Sequence, residues 1–192
     1  MFVPNGVNRI KTKIIVSIEN ATGAIGAKGN LFYSIKGDLV HFRRTTITTT
    51  NPQLQNVLVM GRKTWESLPK KPLPNRINVV FSTRPIDGVD VVGSMREYHE
   101  YIAAHDELIE NVYIIGGSSI YNMFLEDGLV DEIICTVFYP KKTSKPIEQV
   151  ADTFFPIHEL QRFVKGASEY IGEGDNYVAI VEYYKLNFHN KI

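Results

Sequence analysis

"VYIIGGSSIY", residues 112–121, begins as a β-branched, apolar run and passes through paired glycines into a helical pattern. The run "VYIIG" is short and nearly continuous in apolar residues, which predicts a central strand covered on both faces. Gly116 and Gly117 allow close backbone approach, and the helix that follows offers unpaired N–H groups and the positive end of its dipole. The stretch therefore reads either as an anion-binding turn or as a plain tight strand-to-helix turn. It carries neither the three spaced glycines of a dinucleotide fingerprint nor a P-loop.

Working outward, similar runs recur along the chain. Residues 13–18, 56–61, 77–82, 89–92, 132–139, 162–167 and 177–186 also read as strands, making eight in all. Helical patterns lie between them. Residues 37–45 place Leu39 and Phe42 three apart. The segment 93–108 sets Met95, Tyr98 and Ile102 on one face, and "SSIYNMFLEDG" opens with serines suited to an N-cap and ends at Gly128. The stretch "SEYIGEGDN" (168–176) reads as a turn-rich connection between two antiparallel strands. Residues 45–55 and 139–149 read as surface loops. Strand–helix alternation closed by a hairpin predicts an α/β fold with a mostly parallel sheet.

The chain has 192 residues, 44% of them hydrophobic, enough to bury a core without cross-links. A loose N-terminal arm is expected over 1–12, without a signal-peptide core, and a single domain over 13–192. Lysine plus arginine and aspartate plus glutamate balance at 21 each, so no overall attraction to nucleic acid or membrane is expected. No apolar run approaches the ~20 residues of a membrane helix. Cys135, the one cysteine, fits a reducing compartment, and a cytoplasmic monomer is the expectation. The five histidines lack metal-ligand spacing and no serine sits in G-x-S-x-G, so neither metal nor covalent catalysis is expected. That leaves chemistry supplied by an organic cofactor.

Three further stretches carry charge at turns. "VLVMGRKTWES" repeats the strand–glycine–helix order, with Arg62, Lys63 and Thr64 placed to hold a phosphate or to form an ordinary basic patch. In "PLPNRINVVFSTR", Arg76 is either a carboxylate clamp or a loop cap, and Ser82, Thr83 and Arg84 end a strand where a nucleotide phosphate is commonly held. In "GNLFYSIKGDLVHF" (29–42), Asp38 is the only acid, and it is either a surface charge on an amphipathic helix or the polar anchor of an apolar pocket.

Together these stretches resemble one family. "IGAKGNLFYSIKGDLVHF" is similar to the I-G-x-x-G-x-L-P-W-x-L-P-x-D-L-x-x-F motif of dihydrofolate reductases. "VMGRKTWESL", "PLPNRINVVFS", "IIGGSSIY" and "DTFFP" resemble later motifs of that family, in family order. The resemblance implies a three-layer dihydrofolate-reductase-like fold, with an eight-stranded mixed sheet, a C-terminal antiparallel hairpin and flanking helices. It implies NADPH-dependent reduction of 7,8-dihydrofolate to tetrahydrofolate, a place in one-carbon metabolism, and antifolates as ligands. Asp38 then matches the active-site acid, Thr136 a hydroxyl bonded to it, and Tyr33 takes the place of the family tryptophan. Val16, Ile18, Leu31, Leu39, Phe42, Leu68, Arg76, Ile115 and Tyr121 match substrate contacts, Arg76 as the clamp on the glutamate carboxylate and Val16 and Ile115 through their carbonyls. Ile18, Gly26, Arg62, Lys63, Thr64, Ser82, Thr83, Arg84, Gly116, Gly117, Ser118, Ser119 and Tyr121 match the cofactor site, with a cis peptide between the two glycines. Phe32-Tyr33 replaces a Pro-Trp pair, Lys36 a second proline, and Ile18 a small residue expected to leave room for the ligands. The alternative is a folate- or nucleotide-binding module without turnover. A related reductase of riboflavin synthesis would not need the Asp38 and Arg76 pair.

Overall fold

The computed structural model describes residues 9–142 and 150–187. In chain order the elements are β1 (Lys11–Glu19), β2 (Ala24–Ala27), β3 (Asn30–Leu31), α1 (Lys36–Ile47), β4 (Gln55–Gly61), α2 (Arg62–Ser67), β5 (Ile77–Phe81), β6 (Asp90–Val92), α3 (Met95–Ala104), β7 (Ile109–Gly116), α4 (Ser118–Glu126), β8 (Glu132–Pro140), β9 (Thr153–Phe154), β10 (Phe163–Glu173) and β11 (Tyr177–Leu186). Eight strands form one sheet in the order β10-β11-β8-β1-β7-β4-β5-β6. The six strands from β8 to β6 are mutually parallel, and β11 runs antiparallel to both of its neighbours. All eight strands expected from the apolar runs are in this sheet.

Alternation along β1 builds the layers. Ile14, Val16 and Ile18 point into one core, with Tyr98 of α3 and Ile120, Phe124 and Leu125 of α4. Ile15 points into the other, with Leu58, Met60 and Trp65, against which Phe42 of α1 packs. Each central strand is thus apolar on both faces, which is why it reads as an unbroken run.

Several features depart from the sequence expectation: β1 begins at Lys11, inside the expected loose arm, because Lys11 and Thr12 pair with β7, and α1 runs on to Ile47, into the expected loop. Strand β10 continues through Ser168–Glu173, so the turn is only residues 174–176. Two register shifts and Gly172 at φ 144° absorb the glycines, and the edge position lets polar residues face solvent. The serines that open α4 do not cap it. Gly117 is the N-cap and makes no side-chain cap bond, while Ser118 Oγ donates to the Phe154 carbonyl at 2.6 Å. A second, three-stranded sheet, β3-β2-β9, has no signature in the sequence because its strands are two to four residues long. Residues 1–8 of the expected arm and 143–149 of the expected loop lie outside the described residues.

Candidate active site

The sheet opens where its connections change sides. Strands β1 and β7 are paired from Lys11–Asn111 to Ile14–Ile114, and no further. Strand β1 stays paired to β8 up to Glu19. Helix α1, after β1, packs on one face of the sheet, and α4, after β7, packs on the other. Neighbouring parallel strands that send their helices to opposite faces form a topological switch point, where ligands of α/β sheets bind. Val16 and Ile115 lie within two residues of the last β1–β7 pair, where the two strands part. Tyr121 of α4 reaches across it, donating from its hydroxyl to the Ile15 carbonyl at 3.1 Å. Burial drives the Tyr121 hydroxyl well above its ordinary pKa, so it stays a donor.

Asp38 sits in the first turn of α1 and is only 5% exposed. It is not a surface charge. Thr136 Oγ1 donates to one carboxylate oxygen at 2.7 Å and Ser17 Oγ donates to the other at 2.8 Å. The family resemblance places Thr136 beside the acid. It does not single out Ser17, because a single serine within "KIIVSI" carries no signal until strand pairing sets it beside Thr136.

The face of α1 that begins at Asp38 continues through Phe42 to Thr46 at helical spacing. Thr46 Oγ1 accepts from Arg76 at 2.8 Å, and Arg76 Nε donates to the Pro74 carbonyl at 3.0 Å. The guanidinium lies 5.9 Å from the centre of the Phe42 ring. Arg76 is 8% exposed, and among the described residues no carboxylate lies within ion-pair distance of it. Burial, and then the positive charge of Arg43, lowers its pKa from the ordinary arginine value. Between the two ends, Leu39 is 50% exposed, and Phe42 and Leu68 are half-buried.

Ile18 is buried with its side chain in the core on the α4 side of the sheet, opposite Ser17 and Asp38. Its extra bulk is therefore turned away from the Asp38 face. Leu31 is exposed on β3. The Tyr33 ring stacks on Phe138 at 4.8 Å and packs against Phe32 and Tyr177, at 5.0 and 4.6 Å. Burial first, then Glu19, then Tyr177, raises its pKa. The donors to Asp38 among the described residues are Ser17 and Thr136; the Tyr33 hydroxyl is not one of them.

On the other side of the split, two glycine turns come together. Met60 and Gly116 are partners on β4 and β7, so Gly61, the last residue of β4, and Gly117, the first past β7, follow adjacent parallel strands. A Cβ on Gly61 would stand 3.9 Å from the Gly116 carbonyl oxygen, and one on Gly117 would stand 3.5 Å from Thr64 Oγ1. The Gly116–Gly117 peptide is cis, and Gly116 has φ 107°. Lys63 is exposed and, among the described residues, has no ion-pair partner. Arg62 is paired with Glu66 one turn along α2. Ser119 is exposed on α4. Ser82 is spent locally: its hydroxyl donates to the Arg84 carbonyl at 2.8 Å and accepts from the Arg84 N–H at 3.1 Å. Thr83 and Arg84 are exposed at the end of β5. Gly26 of β2 accepts at its carbonyl from the Asp152 N–H, and the Asp152 carboxylate accepts from the Lys28 N–H at 2.7 Å. The small sheet thus ties the segment after β1 to the segment before β9.

Comparison with known proteins identifies a family. Residues 12–186 match the dihydrofolate reductase family. The chain is 35% identical over 181 residues to the dihydrofolate reductase of Candida albicans, spanning 84% of this chain and 90% of that protein. It is 34% identical over 154 residues to that of Drosophila melanogaster, spanning 77% and 80%. A bifunctional dihydrofolate reductase-thymidylate synthase of Zea mays is 35% identical over 142 residues, 69% of this chain and 26% of that protein. Sequence motifs, sheet order and these matches agree: the chain belongs to the dihydrofolate reductase family.

Proposed function

We propose that this protein is a single-domain, NADPH-dependent oxidoreductase that reduces 7,8-dihydrofolate to 5,6,7,8-tetrahydrofolate. The observation that carries this reading is the pair of buried, opposite charges joined by one helix. Asp38 and Thr46 are eight residues apart on α1, about 12 Å at 1.5 Å per residue. At the near end a carboxylate is held on hydroxyls. At the far end a buried guanidinium has no anion among the described residues, an expensive arrangement unless a ligand supplies one. A molecule with a guanidinium-like N–C–N edge at one end and a carboxylate at the other satisfies both, and dihydrofolate is such a molecule.

In this reading Asp38 binds the N–C–N edge of the pterin through its two oxygens, as a carboxylate binds a bidentate fork. Held this way it favours the protonated pterin, and water delivers the proton to N5. Leu39, Phe42 and Leu68 cover the rings, Arg76 clamps the glutamate carboxylate, and the Val16 and Ile115 carbonyls accept from the exocyclic amino group of antifolates. The residues also fit the cofactor. The paired glycine turns leave room for backbone approach, Lys63 and Thr64 follow Gly61 exposed and half-exposed, and Arg84 is exposed past the end of β5. Arg62, Lys63, Thr64, Ser82, Thr83, Arg84, Gly116, Gly117, Ser118 and Ser119 would hold NADPH, with Ile18, Gly26 and Tyr121 beside its nicotinamide. When bound, NADPH supplies the hydride that reduces pterin C6.

A monomer is consistent with the sheet edges, since β6 has three residues and β10 is broken by two register shifts. A cytoplasmic setting accords with the single, buried Cys135. Names of the matched relatives favour a reductase over a binding module. The test is turnover of dihydrofolate, followed by loss of NADPH absorbance, in the wild type and in Asp38→Asn. The substitution should cut turnover at neutral pH by roughly 10²–10⁴-fold, the worth of a positioned acid–base group. Part of the loss should return at low pH, where substrate arrives protonated. Cofactor and folate binding without turnover in the wild type would favour the module.

A further inference from the structure

We infer that Ser17 is a positioning residue for Asp38, acting with Thr136 to lock the plane of the carboxylate that receives the substrate. The inference rests on the reading of Asp38 as the pterin-binding acid.

Ser17 and Thr136 are register partners on the parallel neighbours β1 and β8. Partners in a parallel pair lie on adjacent strands about 4.8 Å apart and send their side chains to the same face. Here both hydroxyls leave the sheet side by side toward α1. Asp38 comes down onto them, and each of its oxygens accepts from a different hydroxyl, at 2.8 and 2.7 Å.

One anchor would not be enough. The terminal torsion of an aspartate is soft and broad. A single hydroxyl on one oxygen leaves the carboxylate free to swivel about that contact. A second hydroxyl on the other oxygen removes this freedom. An ionised carboxylate has about four acceptor sites, two per oxygen. With two filled from the sheet, one site on each oxygen remains, and both stay turned away from the strands. Two acceptors side by side in a fixed plane are what a flat N–C–N edge requires. Ser17 is half-buried, and among the described residues its hydroxyl has no partner besides Asp38.

The experiment uses the full chain with dihydrofolate and NADPH, and measures binding of a 2,4-diaminopteridine antifolate alongside turnover. Ser17→Ala should lower kcat/KM for dihydrofolate by roughly 10- to 100-fold, the worth of one hydrogen bond to a charged group. Antifolate affinity should fall in the same direction, while the KM for NADPH stays put. Ser17→Thr, which keeps the hydroxyl, should recover most of the loss. If Ser17→Ala does not fold, Ser17→Cys, close in size and only a weak donor, is read the same way. Wild-type kinetics in Ser17→Ala, an equal loss in Ser17→Thr, or an equal loss on NADPH would overturn the inference. Asp38→Asn in the same assay separates the two readings. If Asp38→Asn is crippled while Ser17→Ala is not, only the Ser17 inference fails. If Asp38→Asn is unharmed, the assignment of Asp38 fails with it.

Discussion

Arg76 donates to Thr46 at 2.8 Å, and Thr46 lies eight residues along α1 from Asp38. One helix therefore sets the distance between the buried acid and the buried guanidinium. Arg76→Leu should weaken dihydrofolate binding by about 2–5 kcal/mol, the cost of stranding one partner of a buried charged pair. A pterin without the glutamate tail should be nearly indifferent. Binding of both, measured by fluorescence titration, checks this. Equal losses would mean that Arg76 serves Thr46 and the Pro74 carbonyl rather than the ligand.

Arg62 is the candidate for the cofactor's 2′-phosphate, and it is engaged by Glu66 one turn away. Arg62→Gln should weaken NADPH far more than NADH. Glu66→Gln should do the reverse, tightening NADPH by a few-fold, because an exposed pair of this kind competes with only about 0.2–1 kcal/mol. Dissociation constants for both cofactors on both variants decide it. A Glu66→Gln protein with unchanged preference would remove Arg62 from the phosphate site.

Gly37 precedes Asp38 and lies against β10. A Cβ there would stand 2.1 Å from the Ile171 carbonyl oxygen. Alanine within a helix ordinarily stabilises by about 1 kcal/mol relative to glycine. Here overpacking against the backbone should win, costing about 1–3 kcal/mol. Gly37→Ala should therefore lower the denaturation midpoint, and it should reduce kcat/KM because the start of α1 carries Asp38. A more stable variant with unchanged kinetics would refute the close approach.

Tyr33 packs by its ring, against Phe138 and Tyr177. Tyr33→Phe should keep most activity and stability, whereas Tyr33→Ala should lose both, by about 3 kcal/mol or more in stability. Thermal melts and steady-state kinetics on the pair test the ring against the hydroxyl. A crippled Tyr33→Phe would assign the role to the hydroxyl instead.

His41 is a buried residue of α1, with Nε2 3.1 Å from the Tyr183 hydroxyl. Burial lowers its pKa, outweighing Glu169 and Asp38, which raise it, while Arg44 also lowers it. The folded state thus favours the neutral ring. The associated stability is present above the unfolded value of about 6.5 and is lost as pH falls through the lowered folded value. Urea midpoints should drop between neutral and mildly acid pH in the wild type. They should drop less in His41→Gln, and parallel slopes would reject the assignment.

Runs such as "KIIVSI" and "VYIIG" determined the strands by themselves, because a strand buried on both faces must be apolar throughout. Punctuated motifs did the same for the glycine turns and for the approximate place of Asp38, Arg62 and Arg76. Only the tertiary structure decided what those residues meet. Strand pairing put Ser17 beside Thr136. The parting of β1 from β7 after Ile14 and Ile114 opened the sheet beside Val16 and Ile115. The return of the chain at Arg76 found Thr46, 30 residues earlier. Partners of this kind are set by register and by packing between elements distant in sequence, and neither local propensity nor residue type encodes them. The same holds for Ile18: its bulk is legible in the sequence, but the face it occupies is fixed by the alternation of β1 within a sheet already assembled.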